Sequence, residues 1–216
     1  FFSEAKICFD NDLTGESKFD AIRHIFTGKQ KVFVSATLES SIIDAVLFFK
    51  SLGVSVVWVG AKNAISLIPF LKENKVAVVL QTIHRLPATG QSEINEPFTE
   101  AASLAKAGIV CCISNRGSWE VRNLPFNAGT AAAYGLTKEN ALMMITYNPA
   151  IILGVDSLIG SLQKGRLATL LICSGDLLNM AESKIESVFI NGIEISLTEN
   201  HQFLLYKKFD KKYSGQ

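Results

Sequence analysis

Four compact β-branched runs, separated by segments of helical period, constrain this chain more than any other feature. They are Val32–Ala36, Val56–Gly60, Val76–Leu80 and Ile109–Ser114. Each is a continuous apolar stretch, the pattern of a strand covered on both faces. After the first run, Ile42, Ala45, Val46 and Phe49 fall on one helical face, with Ser40 or Ser41 placed to cap the start and Gly53 to stop it. Ala64–Asn74 reads as the next helix, and Pro69 inside it removes a hydrogen bond, kinking the helix or delaying its start. Glu96–Ala107 is a third, followed by Gly108. Strands joined by helical crossovers pair in parallel, so this region reads as α/β. The connection Thr82–Asn95, which contains Pro87 and Gly90, is long for such a unit and lies where a loop at a functional face belongs.

The pattern changes downstream. Asn123 is placed to cap a helix that opens with Leu124 and Pro125, and Gly135 ends it. Thr137 starts a second helix carrying Ala141, Met144 and Ile145 on one side, and Pro149 begins a third that Gly154 stops. Beyond Gly160, Thr169–Cys173, Val188–Ile190 and Ile193–Ile195 are short strand runs, the last two joined by Asn191-Gly192 as a two-residue hairpin turn. The tail His201–Tyr213 alternates Phe203, Leu204, Tyr206 and Phe209 with lysines, which reads as an amphipathic helix with cations favourable to its C-terminal dipole. Its charged face is either simply solvated or a membrane-surface or partner face.

With 216 residues and 48% apolar content the chain buries a large core, and 21 basic against 20 acidic residues give no electrostatic reason for a nucleic-acid partner. No apolar run reaches the ~18 residues that a membrane span requires. The chain opens on Phe1-Phe2 with neither Met nor a basic signal region, so a fragment or processed product is expected. Cys8, Cys111, Cys112 and Cys173 lack C-x-x-C spacing, and neighbours on a strand point to opposite faces, so they read as small buried apolar residues. No Gly-rich phosphate loop follows any strand run, which counts against a nucleotide-binding, doubly wound domain.

Gly135-Leu136-Thr137, Asn148-Pro149, Gly160-Ser161-Leu162 and Gly165-Arg166-Leu167-Ala168-Thr169-Leu170 follow one another along Asn123–Leu171. This passage resembles the end of an amidohydrolase of the imidazolonepropionase-related kind, strongly here and more weakly over Val32–Ser114. The resemblance implies a partial (β/α) TIM-type barrel, its last four β/α units, in residues 1–155. Part of a small β-sandwich domain would follow in 156–198 and a C-terminal helix or tail in 199–216. The amphipathic Phe19–Phe26 segment, ending at Thr27-Gly28, takes the place of the helix before the fifth barrel strand. A half-barrel leaves two apolar strand edges to cover. The expected partner is therefore the missing N-terminal half of the barrel or a second copy of this chain, with a small molecule as possible ligand.

Chemistry in the family depends on zinc or another divalent metal at the C-terminal ends of the barrel strands, held by an H-x-H pair on the first strand, a His on each of the fifth and sixth, and an Asp on the eighth. Here Ser35 stands at the fifth-strand His place, the sixth strand reads Trp58-Val59-Gly60-Ala61, and the eighth reads Cys112-Ile113-Ser114-Asn115, with Ser or Asn where the Asp belongs. Neutral hydroxyls and amides hold a divalent cation weakly and do not serve as a general base near neutral pH. No catalytic residue, metal ligand or cofactor is expected in this chain, and Ser35, Gly60, His84, Ser114, Asn115 and Arg116 are the pocket candidates. His84 is either a locally bonded rim residue or a pocket residue, and Arg116 either a surface ion-pair former or a pocket residue. Trp119 is a packing lid for its loop or a substrate platform, and His24 and His201 read as solvated or structural. Two functional readings follow: a hydrolase of non-peptide C–N bonds whose other half supplies any metal, or a non-catalytic ligand-binding or assembly scaffold.

Overall fold

The β-branched runs pair in parallel in a computed structural model that describes residues 1–199 and 201–214; of the tail expected over 199–216, Asn200, Gly215 and Gln216 lie outside the described residues. β1 (Val32–Ser35), β2 (Val56–Ala61), β3 (Ala77–Leu80) and β4 (Cys111–Ile113) lie side by side in chain order. β4 is shorter than its apolar run because the Ile109 N–H bonds back to Leu104 O in the preceding helix at 3.1 Å. Contacts divide the chain into two compact units, Phe1–Ser161 and a second from Leu162 onward.

In the first unit the helices follow the sequence pattern with instructive departures. α1 (Phe2–Asp10), which periodicity did not single out, places the Phe2 ring 4.9 Å from that of Phe49. The single helix expected over Phe19–Phe26 is two separate turns, α2 (Ser17–Asp20) and α3 (Arg23–Phe26). At the start of α3 Arg23 reaches back to the segment before α2, donating to Leu13 O at 2.9 Å and to Asp12 Oδ1 at 2.8 Å. α4 (Glu39–Ser51) starts before Ser40 and Ser41, so neither caps it. Its start is tied instead through Glu39 Oε1, which accepts from Asn63 Nδ2 at 3.0 Å and Ser66 Oγ at 2.7 Å. Pro69 delays its helix: a 3₁₀ turn over Ala64–Leu67 comes first, and α5 (Ile68–Glu73) begins with the proline in its first turn.

α6 (Glu96–Lys106) leads into β4, and a 3₁₀ turn over Val121–Asn123 feeds α7 (Leu124–Ala133). That turn makes a side-chain cap from Asn123 redundant, and none forms. Thr137 does cap α8 (Lys138–Met143), its Oγ1 accepting the Asn140 N–H at 3.2 Å. α9 (Tyr147–Leu153) starts two residues before Pro149, which sits in the first turn where its missing N–H costs nothing, and Gly154 ends it in the left-handed region at φ +74°.

Register assigns the two faces of the sheet. Phe33 pairs with Val57 and Ser35 with Val59; these in turn neighbour Ala77 and Val79, and Val79 neighbours Cys112. Ile152 of α9 packs on this face with Val57 and Cys112, while Phe33 at the β1 edge remains 45% exposed. The opposite face carries Trp58, Val78, Leu80, Cys111 and Ile113, all buried, and α4 packs against β1 and β2. The two edges differ, contrary to the expectation that both stand open. On β4 the Ile113 N–H donates to Met144 O at 3.1 Å and Asn148 Nδ2 donates to Cys111 O at 2.8 Å, so the chain covers that edge with its own α8–α9 segment.

The second unit is a three-stranded antiparallel sheet of β5 (Leu170–Ser174), β6 (Lys184–Ile190) and β7 (Ile193–Ile195), followed by α10 (His201–Tyr213). β6 begins four residues before its apolar core at Val188, pairing through Lys184 and Ile185 with Ser174 and Cys173. Asn191 at φ +52° and Gly192 at φ +81° make the tight turn between β6 and β7, as two consecutive left-handed residues require. α10 carries no buried residue among those described. Among the described residues no helix is long and apolar enough to cross a membrane.

Candidate functional site

The loops that leave β3 and β4 meet the first turns of α7 in a cleft of about 210 Å³, lined by Thr82, His84, Asn115, Glu120, Asn123 and Asn127. Asn127, 1% exposed, is its anchor. Its Oδ1 accepts from Thr82 Oγ1 and from the Ile83 N–H, both at 3.0 Å, and from the His84 N–H at 3.4 Å. Its Nδ2 donates to Asn123 O at 3.0 Å, so one amide holds the loop after β3 against α7. Backbone donors on one side and a carbonyl on the other fix which way the amide points.

The same reasoning fixes His84. Its Nε2 lies 2.8 Å from Thr130 Oγ1, whose single proton goes to Phe126 O at 3.0 Å. With that proton on Phe126 O, Nε2 takes the donor role toward Thr130 and Nδ1 is the ring nitrogen left to accept. Asn115 Nδ2 donates to Glu120 O at 2.6 Å, which sets that amide as well, since reversing it would oppose two oxygens. Its Oδ1 is buried with no hydrogen-bond partner. An unpaired buried acceptor costs about 1–3 kcal/mol.

The other candidates lie elsewhere. Ser35 is exposed at the end of β1, and Arg116 is exposed on the loop after β4; neither lines the cleft. Ser114 lies just outside the cleft lining, with Oγ donating to Leu80 O at 2.9 Å. Gly60 is a backbone feature: it forms a bulge between Val59 and Ala61 at φ +75°, where an added Cβ would lie 2.7 Å from Gln81 Nε2. Trp119 is 65% exposed, with the Arg122 guanidinium 4.0 Å from its ring centre, so it packs on Arg122 and does not lid the loop interior. His24 and His201 are exposed.

A buried ionic cluster not expected from the sequence forms around Arg85, the residue after His84. Arg85 Nη2 bonds Glu100 Oε2 at 2.7 Å and Glu96 Oε1 at 3.1 Å, while Glu96 Oε2 accepts the Ala88 N–H at 2.8 Å and Glu100 Oε1 accepts the Ala64 N–H. Burial raises the Glu100 carboxyl above its ordinary range, against the opposing pull of the Ala64 N–H and the Arg85 charge. The signal available in sequence was the i, i+4 spacing of Glu96 and Glu100 on a helix otherwise facing the core. Burial pushes the Cys111 thiol to about 12 and the Cys112 thiol to about 11, so neither supplies a thiolate near neutral pH. Cys8 and Cys173 are half-buried and not core residues as expected. Among the described residues no three His, Cys, Asp or Glu side chains gather in a way that would hold a metal ion.

The amidohydrolase family model matches residues 30–195, which takes in every strand described above. The chain belongs to the amidohydrolase family. An amidohydrolase from Thermotoga maritima MSB8 is similar in structure, with a TM-score of 0.77 and 22% identity over 90% of this chain and 53% of its own. A zinc-bound adenosine deaminase from Xanthomonas campestris has a TM-score of 0.59 and 16% identity over 92% and 54%. A triazine hydrolase variant gives 0.59 and 16% over 89% and 49%. At these identities the likeness is one of fold. This amidohydrolase chain thus spans about half the length of those solved structures, as a partial (β/α) barrel followed by a small antiparallel sheet. No curated protein matches it.

Proposed function

We propose that this amidohydrolase-family chain is the ligand-orienting half of an imidazolonepropionase-related barrel, and that any hydrolysis of a non-peptide C–N bond relies on groups outside it. The observation that carries this is the donor set at the strand ends. Ser35 ends β1, Gly60 makes a bulge near the end of β2, and Ser114-Asn115 follow β4, so hydroxyl and amide groups stand where a divalent ion needs imidazole and carboxylate. These residues do not fit zinc. The purified chain, exposed to zinc, manganese or iron and then dialysed, is expected to retain well under one ion per chain. Stoichiometric retention that is lost on Ser35→Ala, His84→Ala or Ser114→Ala would overturn the proposal.

The partner in this reading completes the barrel at the β1 edge, where Phe33 is exposed and the sheet ends. It is the N-terminal half or a second copy of the chain. Burying that edge and face removes apolar surface from water, which favours association. Sedimentation is expected to show the chain self-associating or bound to the other half, and a monodisperse monomer indifferent to concentration would count against it.

A further inference from the structure

We infer that the cleft at the β3 and β4 strand ends binds a nitrogen cation, an ammonium or guanidinium group, through Asn115 Oδ1 and His84 Nδ1. Donors and acceptors around the cleft are out of balance. Six donors around it are already engaged within the chain. Thr82 Oγ1 and the Ile83 and His84 N–H groups give to Asn127 Oδ1, Asn127 Nδ2 to Asn123 O, Asn115 Nδ2 to Glu120 O, and the Asn123 N–H to Glu120 O. Two acceptors beside these donors are left over. Asn115 Oδ1 is buried with no partner, and His84, with Nε2 giving to Thr130, has Nδ1 left to accept. Among the described residues of the lining, Glu120 is the one Asp, Glu, Lys or Arg, and its charge is negative. A carboxylate or phosphate would face acceptors and a like charge here. A compact group of polarised N–H bonds supplies what each acceptor lacks, and its charge strengthens the bonds. The Asn123 side-chain amide can turn either end toward the remainder of such a ligand.

This inference rests on reading the strand ends as a ligand face, though not on the chain's lack of metal ligands. The test is a titration of the full chain with n-butylammonium chloride and methylguanidinium chloride against sodium acetate at matched ionic strength. It follows the nitrogen resonances of the Asn115 side-chain amide and the His84 ring. Either cation is expected to shift both saturably, while acetate leaves them unmoved. Asn115→Leu, which removes Oδ1, is expected to lose binding, and Glu120→Gln, which removes the negative charge of the lining and keeps the backbone acceptor of Asn115 Nδ2, to weaken it severalfold. Acetate moving the same resonances, equal cation affinity in wild type and both variants, or no saturable shift in a folded wild-type chain would each overturn the inference. Metal retention is measured separately. A chain that holds zinc yet takes the cation through Asn115 would sink only the metal-free reading, and a metal-free chain that ignores the cation would sink only this one.

Discussion

Arg85→Leu is expected to lower the unfolding free energy by about 3–5 kcal/mol, because it strips the cation from two carboxylates that cannot reach water. Glu100 is 2% exposed and Glu96 7%, and the guanidinium touches both. An exposed pair would be worth under about 1 kcal/mol; burial is what enlarges the effect. The pH dependence gives an independent check. Glu100 already titrates above its ordinary 4.5 because burial opposes its charge more than Ala64 and Arg85 favour it. A raised folded-state value means the native chain holds that proton more tightly than the unfolded chain. The contribution is therefore complete below the unfolded value and is lost as pH rises through the folded one. Removing Arg85 raises the folded value further. The gap between wild type and variant is then widest near neutral pH and narrows as pH falls toward 4.5. Urea midpoints at unchanged slope measure it, and Arg85→Leu/Glu100→Gln should recover part of the loss by removing one stranded charge. A deficit below about 1 kcal/mol at neutral pH would show the cluster behaving as a solvated pair.

The β/α rhythm was legible because each signal was local. Runs such as Val56–Gly60 state a buried strand by themselves, Thr137 caps its helix by accepting an N–H three residues on, and Asn191-Gly192 makes a turn within its own four residues. The site was legible only in part. His84 and Asn115 fell in the cleft because strand ends in a parallel sheet converge on one face. Gly60 was singled out for its position, yet its role is a bulge at positive φ with the Gln81 side chain lying over it, which no spacing announces. Arg85, Glu96 and Glu100 were missed for a related reason: an arginine in a loop and two glutamates on a helix look like solvated charge until the fold brings them together. The covered β4 edge depends likewise on Asn148 reaching back 37 residues to Cys111.

Asn127 tests whether the cleft is built from one amide or from many weak contacts. Its Oδ1 serves three donors, and the Ile83 N–H is buried with that bond as its partner. Leucine has nearly the same size but offers no acceptor, so Asn127→Leu strands a buried N–H and a hydroxyl at once. The His84 N–H, on an exposed residue, can turn to water. The expected loss is about 2–4 kcal/mol. Amide exchange at Ile83 and His84 should quicken well beyond what global destabilisation explains, since the loop after β3 loses its tie to α7. Asn127→Asp keeps the acceptor for the loop after β3 but sets a buried carboxylate oxygen against Asn123 O, so it should lose global stability while exchange at those two amides rises no more than that loss explains. His84 is held by Thr130 through its ring and by Asn127 through its backbone. Loosening the second hold alone should broaden the His84 ring resonances and weaken cation binding, with Asn115 untouched. If Asn127→Leu matched wild type in stability and in exchange at Ile83, the cleft would owe its shape to apolar packing beneath it, with the amide merely resident there.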